Sequence, residues 1–170
     1  MSVKQSAGLL VYRLKNRRLE VLIVHPGGPF FAKKDNGFWS IPKGLYEGDE
    51  NPLDAAKREY EEEIGRPAPD GTYIELGEIK RKDGKIIKAW AVEGTVDETK
   101  ITSNTFKIEW PPKSAKMQAF PEVDRAGWFT LGEAVKKLTP AQVEFLQRLA
   151  DKLDRELTVE KPQPNQQTFL

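Results

Sequence analysis

Three glutamates, Glu59, Glu62 and Glu63, stand three and four residues apart near the end of a segment that reads as a single helix. Side chains at that spacing project from one helical face, so the carboxylates point the same way. A face of hard oxygen donors suits a divalent cation. Mg²⁺ is usually held by one or two carboxylates, several waters and the oxygens of a substrate phosphate, so a phosphate-containing substrate is the first expectation. The acids lie in the stretch from Gly44 to Gly65, GLYEGDENPLDAAKREYEEEIG. Asn51 is a good N-cap, Pro52 suits the first helical position, and Asp54 adds favourable charge to the first turn. The helix should begin there and stop at Gly65. Leu53, Ala56, Tyr60 and Ile64 form a second stripe that packs the helix onto a sheet. Ala55 is expected on the acidic face one turn before Glu59, where a small side chain leaves room for metal and phosphate.

The elements that must hold this helix are short and varied. Ala7 to Arg13 and Leu19 to His25 are apolar runs that read as two strands, followed by a Gly- and Pro-bearing loop from Pro26 to Gly37 that contains Phe30 and Phe31. Phe38 to Pro42 reads as extended and delivers the chain to Lys43 and Gly44. Beyond the helix, Tyr73 to Arg81 and Lys85 to Glu93 form a hairpin through the Asp83-Gly84 turn signal. Thr105 to Trp110 alternates as a further strand, Pro111 to Pro121 reads as a loop, and Arg125 to Phe129 as a last short strand. Thr130 is expected to cap a helix through Lys137, and Thr139 another that starts with Pro140 and runs to about Leu157. Strands, a helix, more strands and then helices imply a mixed sheet with helices on its faces.

Composition narrows the chemistry. The 170 residues include 27 basic and 26 acidic ones, a net charge of +1, so no overall field favours nucleic acid or membrane. Cysteine is absent, which excludes a disulfide framework and a thiolate nucleophile and fits a reducing cytoplasm. His25 is the sole histidine, a poor basis for a serine triad or a histidine zinc site. It reads as a structural or rim residue. Met1 to Gln5 lacks a signal-peptide core, no apolar run is long enough to span a bilayer, and the expectation is a cytoplasmic protein with no membrane partner.

The order Gly44, five residues, Glu50, seven residues, then Arg58-Glu59-Tyr60-Glu61-Glu62-Glu63-Ile64-Gly65 closely resembles the Nudix box. That box is the signature of hydrolases that cleave a nucleoside diphosphate linked to another moiety. One residue departs from the pattern, Arg66, where the family has a bulky apolar residue after the final glycine. The resemblance implies an α/β fold, the Nudix-type α/β/α sandwich with a mixed β-sheet, over residues 1–157, and the polar, proline-containing stretch 158–170 reads as a C-terminal tail. It implies Mg²⁺ or Mn²⁺ as cofactor, with Glu59, Glu62 and Glu63 as ligands and Glu50 as an outlying one. Arg58 matches the arginine that orients a box glutamate, and Gly44 the loop glycine beside metal or phosphate. Pro121-Glu122-Val123-Asp124, followed by Trp128, resembles the segment from which RNA pyrophosphohydrolases and their relatives draw a further glutamate. Glu122 is therefore a candidate ligand or base, with Asp124 as its substitute.

Ile41-Pro42-Lys43-Gly44 is similar to the Phe-Pro-Lys-Gly sequence of diadenosine polyphosphate hydrolases, which makes Lys43 a candidate phosphate contact. Trp39, Phe31 and Trp110 are candidate base-stacking surfaces. The expected substrate is a small-molecule nucleotide, a dinucleoside polyphosphate or a nucleoside triphosphate. Two alternatives stand beside it: removal of pyrophosphate from RNA 5′ ends, suggested by Glu122 with Lys107, Lys113 and Lys116, and a non-catalytic nucleotide sensor, opposed by the intact box. Oligomeric state has no signature in the chain.

Overall fold

The computed structural model describes residues 4–154. Two long apolar runs pair first: β1 (Gln5–Lys15) and β2 (Arg18–Pro26) form an antiparallel hairpin whose reversal at Asn16 and Arg17 uses positive φ angles of 53° and 66°. β1 then becomes the centre of a six-stranded sheet. It pairs in parallel with β5 (Ile86–Glu93), which is joined as a hairpin to β4 (Ile74–Lys80), while β2 carries β8 (Val123–Thr130) at the other edge. The short strand β3 (Lys43–Leu45) also lies against β1, antiparallel, with Ala7 opposite Gly44 and Gly8 opposite Lys43.

Central strands of this sheet are covered on both faces, which is why β1 and β2 read as continuous apolar runs rather than alternating ones. Leu10, Val21, Ile23, Ala89 and Ala91 face one layer, formed by α2 (Leu131–Lys137) and α3 (Val143–Lys152) through Phe145, Leu146 and Leu149. Leu9, Val11, Leu22, Val24 and Val92 face the other, formed by α1 (Pro52–Ile64) through Ala55, Ala56, Tyr60 and Ile64. The expected mixed α/β/α sandwich is the result. None of the helices among the described residues is long and apolar enough to cross a membrane.

The helix that carries the acids is bounded as its sequence dictates. The Asn51 side chain accepts the N–H groups of Leu53 and Asp54 at 3.0 and 3.1 Å, Pro52 opens the first turn, and Gly65 closes the helix in the left-handed region with φ 80°. Asn51→Ala should lower stability by about 1 kcal/mol, measurable as a shift in urea midpoint without a change in slope. Arg66 is exposed, and the helix exit is closed by Thr102, whose N–H donates to the Ile64 carbonyl at 2.9 Å.

Four local expectations are corrected. Met117–Pro121 is a strand, β7, within the segment expected to be loop; it pairs with β6 (Thr105–Glu109) in a separate two-stranded sheet. Its exposed residues have no buried face to impose alternation, so register comes from the partner strand. Thr139 makes no side-chain cap, and Pro140–Gln142 is a 3₁₀ turn that precedes α3. α3 ends at Lys152, and residues 155–157 together with the expected tail at 158–170 lie outside the described residues. Ala55 is fully buried in the α1 core, so its small size serves close packing on the sheet rather than an open metal face.

Candidate active site

The site is assembled where β3 runs past α1. The approach to β3 is pinned by backbone contacts: Leu9 N–H donates to the Pro42 carbonyl at 3.1 Å, and Ile41 N–H donates to Gln142 Oε1 at 2.9 Å. Gln142 Nε2 in turn donates to Ser40 Oγ at 3.0 Å, so a buried glutamine at the start of α3 fixes the segment leading to Lys43. Gly44 then faces Glu59. A Cβ built on Gly44 would fall on the Glu59 carboxylate, so only glycine lets β3 lie this close to the helix.

Arg58 organises the acids around it. Its guanidinium grips Glu50 with two bonds, Nε to Oε2 at 2.9 Å and Nη2 to Oε1 at 3.0 Å. Nη1 donates to Glu59 Oε2 at 2.6 Å and to Glu62 Oε2 at 3.0 Å. One planar cation thus ties Glu50, before the helix, to two carboxylates on it, a use of the guanidinium fork that a lysine could not match. The hydrogen bonds from Arg58 hold the Glu50 carboxyl below the usual carboxylate range.

The remaining acids are less well neutralised. Burial pushes the Glu59 carboxyl up, against the hydrogen bond from Arg58 and with added repulsion from Glu62 and Glu122. Burial drives Glu63 further, to about 8, and Glu59 and Glu122 add to it while the Lys43 ammonium opposes. Glu122 is itself raised by partial burial and by Glu62. Glu122 thus acts on the acidic face although it is 59 residues beyond Glu63 in the chain. Backbone bonds explain how: Asn104 N–H donates to the Glu62 carbonyl, Glu122 N–H to the Asn104 carbonyl, and Gly27 N–H to the Glu122 carbonyl, at 2.8 to 2.9 Å. Asn104 carries no sequence signal for this bridging role, because its contribution is made through the main chain.

A model of the NUDIX domain matches residues 4–149. The chain belongs to the NUDIX family. It is a Nudix hydrolase, at family level a nucleotide pyrophosphohydrolase of a kind that generally uses divalent metal ions. Solved structures share the fold. Caenorhabditis elegans Ap4A hydrolase, as a binary complex, is 21% identical with a TM-score of 0.62, covering 88% of this chain and 98% of that one. The NUDIX domain of Shewanella oneidensis NrtR, complexed with ADP ribose, is 14% identical with a TM-score of 0.63, covering 90% of each chain. A mutT/nudix family protein from Listeria innocua is 18% identical with a TM-score of 0.60, covering 91% of this chain and 96% of that one. A search of curated proteins gives no match.

Other residues singled out in this Nudix chain divide cleanly. Lys43 borders both Glu63 and a groove lined by Phe31, and burial lowers its ammonium pKa against the attraction of Glu63. Phe31 is 38% exposed and available to a flat ligand. Trp39 is not: it is 4% exposed, its indole N–H donates to Asp35 Oδ1 at 2.8 Å, and the edges of His25 and Phe129 pack on it. The expectation that Trp39 stacks on a base is corrected, since the core already occupies its faces. Trp110 packs edge-on against Phe30 with ring centroids 5.4 Å apart. His25 is fully buried with both nitrogens engaged, Nδ1 with Asp124 at 2.8 Å and Nε2 with the Lys34 carbonyl at 2.6 Å. This occupies Asp124 and leaves Glu122 as the loop acid of the pair that meets the Nudix-box acids.

Among the described residues no three acidic or histidine side chains converge as a ready-made metal cage, and Arg58 bonds Glu50, Glu59 and Glu62. The donor set nonetheless fits a hard cation. It is all oxygen, it combines three carboxylates whose protonation is favoured by crowding and burial, and Mg²⁺ needs few protein ligands when phosphate and water supply the rest.

Proposed function

We propose that this protein is a Mg²⁺- or Mn²⁺-dependent pyrophosphohydrolase that cleaves a nucleoside diphosphate linked to a further group, with dinucleoside polyphosphates ahead of nucleoside triphosphates. The observation that carries the reading is the acidic face of α1, where burial raises the carboxyls of Glu59 and Glu63 beside Gly44 and Lys43 and Glu122 adds repulsion to both. Glu59, Glu62 and Glu63 would hold the cation, with Glu122 and more remotely Glu50 contributing. When bound, a divalent cation supplies neutralisation of the phosphate oxygens and acidification of the attacking water.

The chain's own residues do the rest. Arg58 keeps the glutamates in register, and Gly44 allows the backbone to approach the phosphates. Lys43 adds compact positive charge that follows a flexible anhydride. Glu122, whose carboxyl is raised by partial burial and by Glu62, is the loop acid that would take the proton of the attacking water. The test is a product analysis with Mg²⁺ and a panel of dinucleoside polyphosphates, triphosphates, nucleotide sugars and 5′-triphosphorylated RNA. Turnover that depends on the cation and yields a nucleoside phosphate supports the reading; tight nucleotide binding with no turnover of any member overturns it in favour of a sensor.

Glu63 also predicts a pH effect on the metal-free protein. Its folded pKa of about 8 lies above the unfolded value, so the native state holds a proton there that the unfolded chain releases. Its contribution to stability is therefore lost as pH rises from roughly 4.5 through 8. A cation competes with that proton, and the rise in Tm produced by Mg²⁺ should be larger at pH 8.5 than at pH 6. An equal rise at both values would detach Glu63 from the cation.

A further inference from the structure

His25 is fully buried near the end of β2, and the hydrolase reading gives it no part. A polar ring in such a place is costly unless its nitrogens are bonded. Both are: Nδ1 lies 2.8 Å from Asp124 Oδ1, and Nε2 lies 2.6 Å from the Lys34 carbonyl. A main-chain carbonyl only accepts, so Nε2 donates to it, and a carboxylate likewise accepts from Nδ1. Trp39 packs against the ring in a T-shaped contact, with centroids 5.4 Å apart. The imidazole is thus held in one orientation, and its two bonds reach two different segments. The Lys34 bond folds the loop after β2 back onto the end of that strand; the Asp124 bond reaches across to β8.

Where that bond lands, the ladder between β2 and β8 breaks step. Val24 stands opposite Ala126 and His25 opposite Arg125, but the next pair is Pro26 with Val123. Asp124 is the extra residue of a bulge, a device that turns a side chain to a new direction and ends regular pairing. Here it turns Asp124 to His25, and Glu122 lies two residues before it. The main chain of Glu122 is gripped from both sides. Its N–H donates to the Asn104 carbonyl at 2.8 Å, and the next N–H, of Val123, donates to Ser103 Oγ at 3.0 Å, which ties this side to the segment bonded to α1. On the other side Gly27 N–H donates to the Glu122 carbonyl at 2.9 Å. A Cβ built on Gly27 would fall on the Pro121 carbonyl oxygen, so the chain just after His25 lies directly on the chain just before Glu122. The Asp124–His25 bond locks this second side, because it fixes β8 to the residue from which the Gly27 contact departs.

We infer that His25 and Asp124 are positioning residues, whose bond holds the bulge of β8 and, through it, the main chain of Glu122 beside the acidic face of α1. This deepens the hydrolase reading and rests on it for the effect on rate, but the hold on Glu122 can be measured without turnover. Asp124→Leu removes the acceptor at similar volume, and Asp124→Asn keeps one. In the metal-free full chain, hydrogen exchange of the Gly27 amide should quicken by at least about tenfold in Asp124→Leu, while the Leu9 amide, bonded to the Pro42 carbonyl in the centre of the sheet, exchanges as in wild type. With Mg²⁺ and the fastest substrate of the nucleotide panel, kcat should fall about tenfold in Asp124→Leu, as small displacements of a positioned group do. Asp124→Asn should recover most of both effects. In a Glu122→Gln background Asp124→Leu should cost no further kcat, because a residue that acts through another is not additive with it. Unchanged Gly27 exchange in Asp124→Leu overturns the inference, and so does a double variant whose loss equals the product of the two single losses. If the wild type turns over no member of the panel while Gly27 exchange still depends on Asp124, the hold on Glu122 stands and the hydrolase reading fails.

Discussion

Replacing Glu63 by glutamine is expected to lower kcat by at least about a hundredfold, as loss of a charge-stabilising element in a catalytic site typically does. Glu62→Gln should behave alike. The reasoning is that glutamine preserves shape but removes the charge that holds the cation. For Glu63 the fold should not suffer, because the carboxylate is costly where it is: burial pushes its pKa to about 8 against the attraction of Lys43. The metal-free Glu63→Gln protein should therefore be at least as stable as wild type at pH 8.5. Glu62 is more exposed and accepts one bond from Arg58 at 3.0 Å, so its replacement should cost little stability. Wild-type rates in both variants would remove the acidic face from the reaction.

Gly44→Ala is expected to cost activity out of proportion to stability. The added methyl would overlap the Glu59 carboxylate, and the far end of a side chain can move aside more cheaply than β3 can. The cost in stability should be about 1–2 kcal/mol, within the usual range for overpacking. Glu59 cannot move without leaving Arg58, its partner at 2.6 Å, and abandoning the face it shares with Glu63. At least about a tenfold fall in kcat follows, since small displacements of positioned groups are amplified in rate. Urea melts and steady-state kinetics on the same preparation separate the two effects. An alanine variant with full kcat would mean that the close approach of β3 to Glu59 has no catalytic consequence.

The parts of this molecule that the sequence made legible are those whose cause is local. Asn51, Pro52 and Gly65 bound α1 through their own backbone preferences, and the spacing of Glu59, Glu62 and Glu63 sets their common face. Apolar runs in β1 and β2 announced buried strands, the order of elements announced a mixed sheet with helices on its faces, and the resemblance of Gly44 to Gly65 to the Nudix box supplied the sandwich. What escaped depends on distant partners. β7 is a strand because β6 lies beside it, Trp39 is core because His25, Asp35 and Phe129 surround it, and Ala55 is packed where an open face was expected. Gln142 and Asn104 position the site through contacts across 101 and 42 residues of chain, which no local pattern encodes.

The central claim is that the acids of α1 bind a divalent cation, and the most direct measurement is a Mn²⁺ titration followed by electron paramagnetic resonance, without nucleotide. Wild type should remove the free Mn²⁺ signal with a saturable affinity, and Glu59→Gln and Glu63→Gln should each weaken that affinity by at least about tenfold, the loss expected when one charged ligand is neutralised. Equal Mn²⁺ affinity in wild type and both variants would contradict the account.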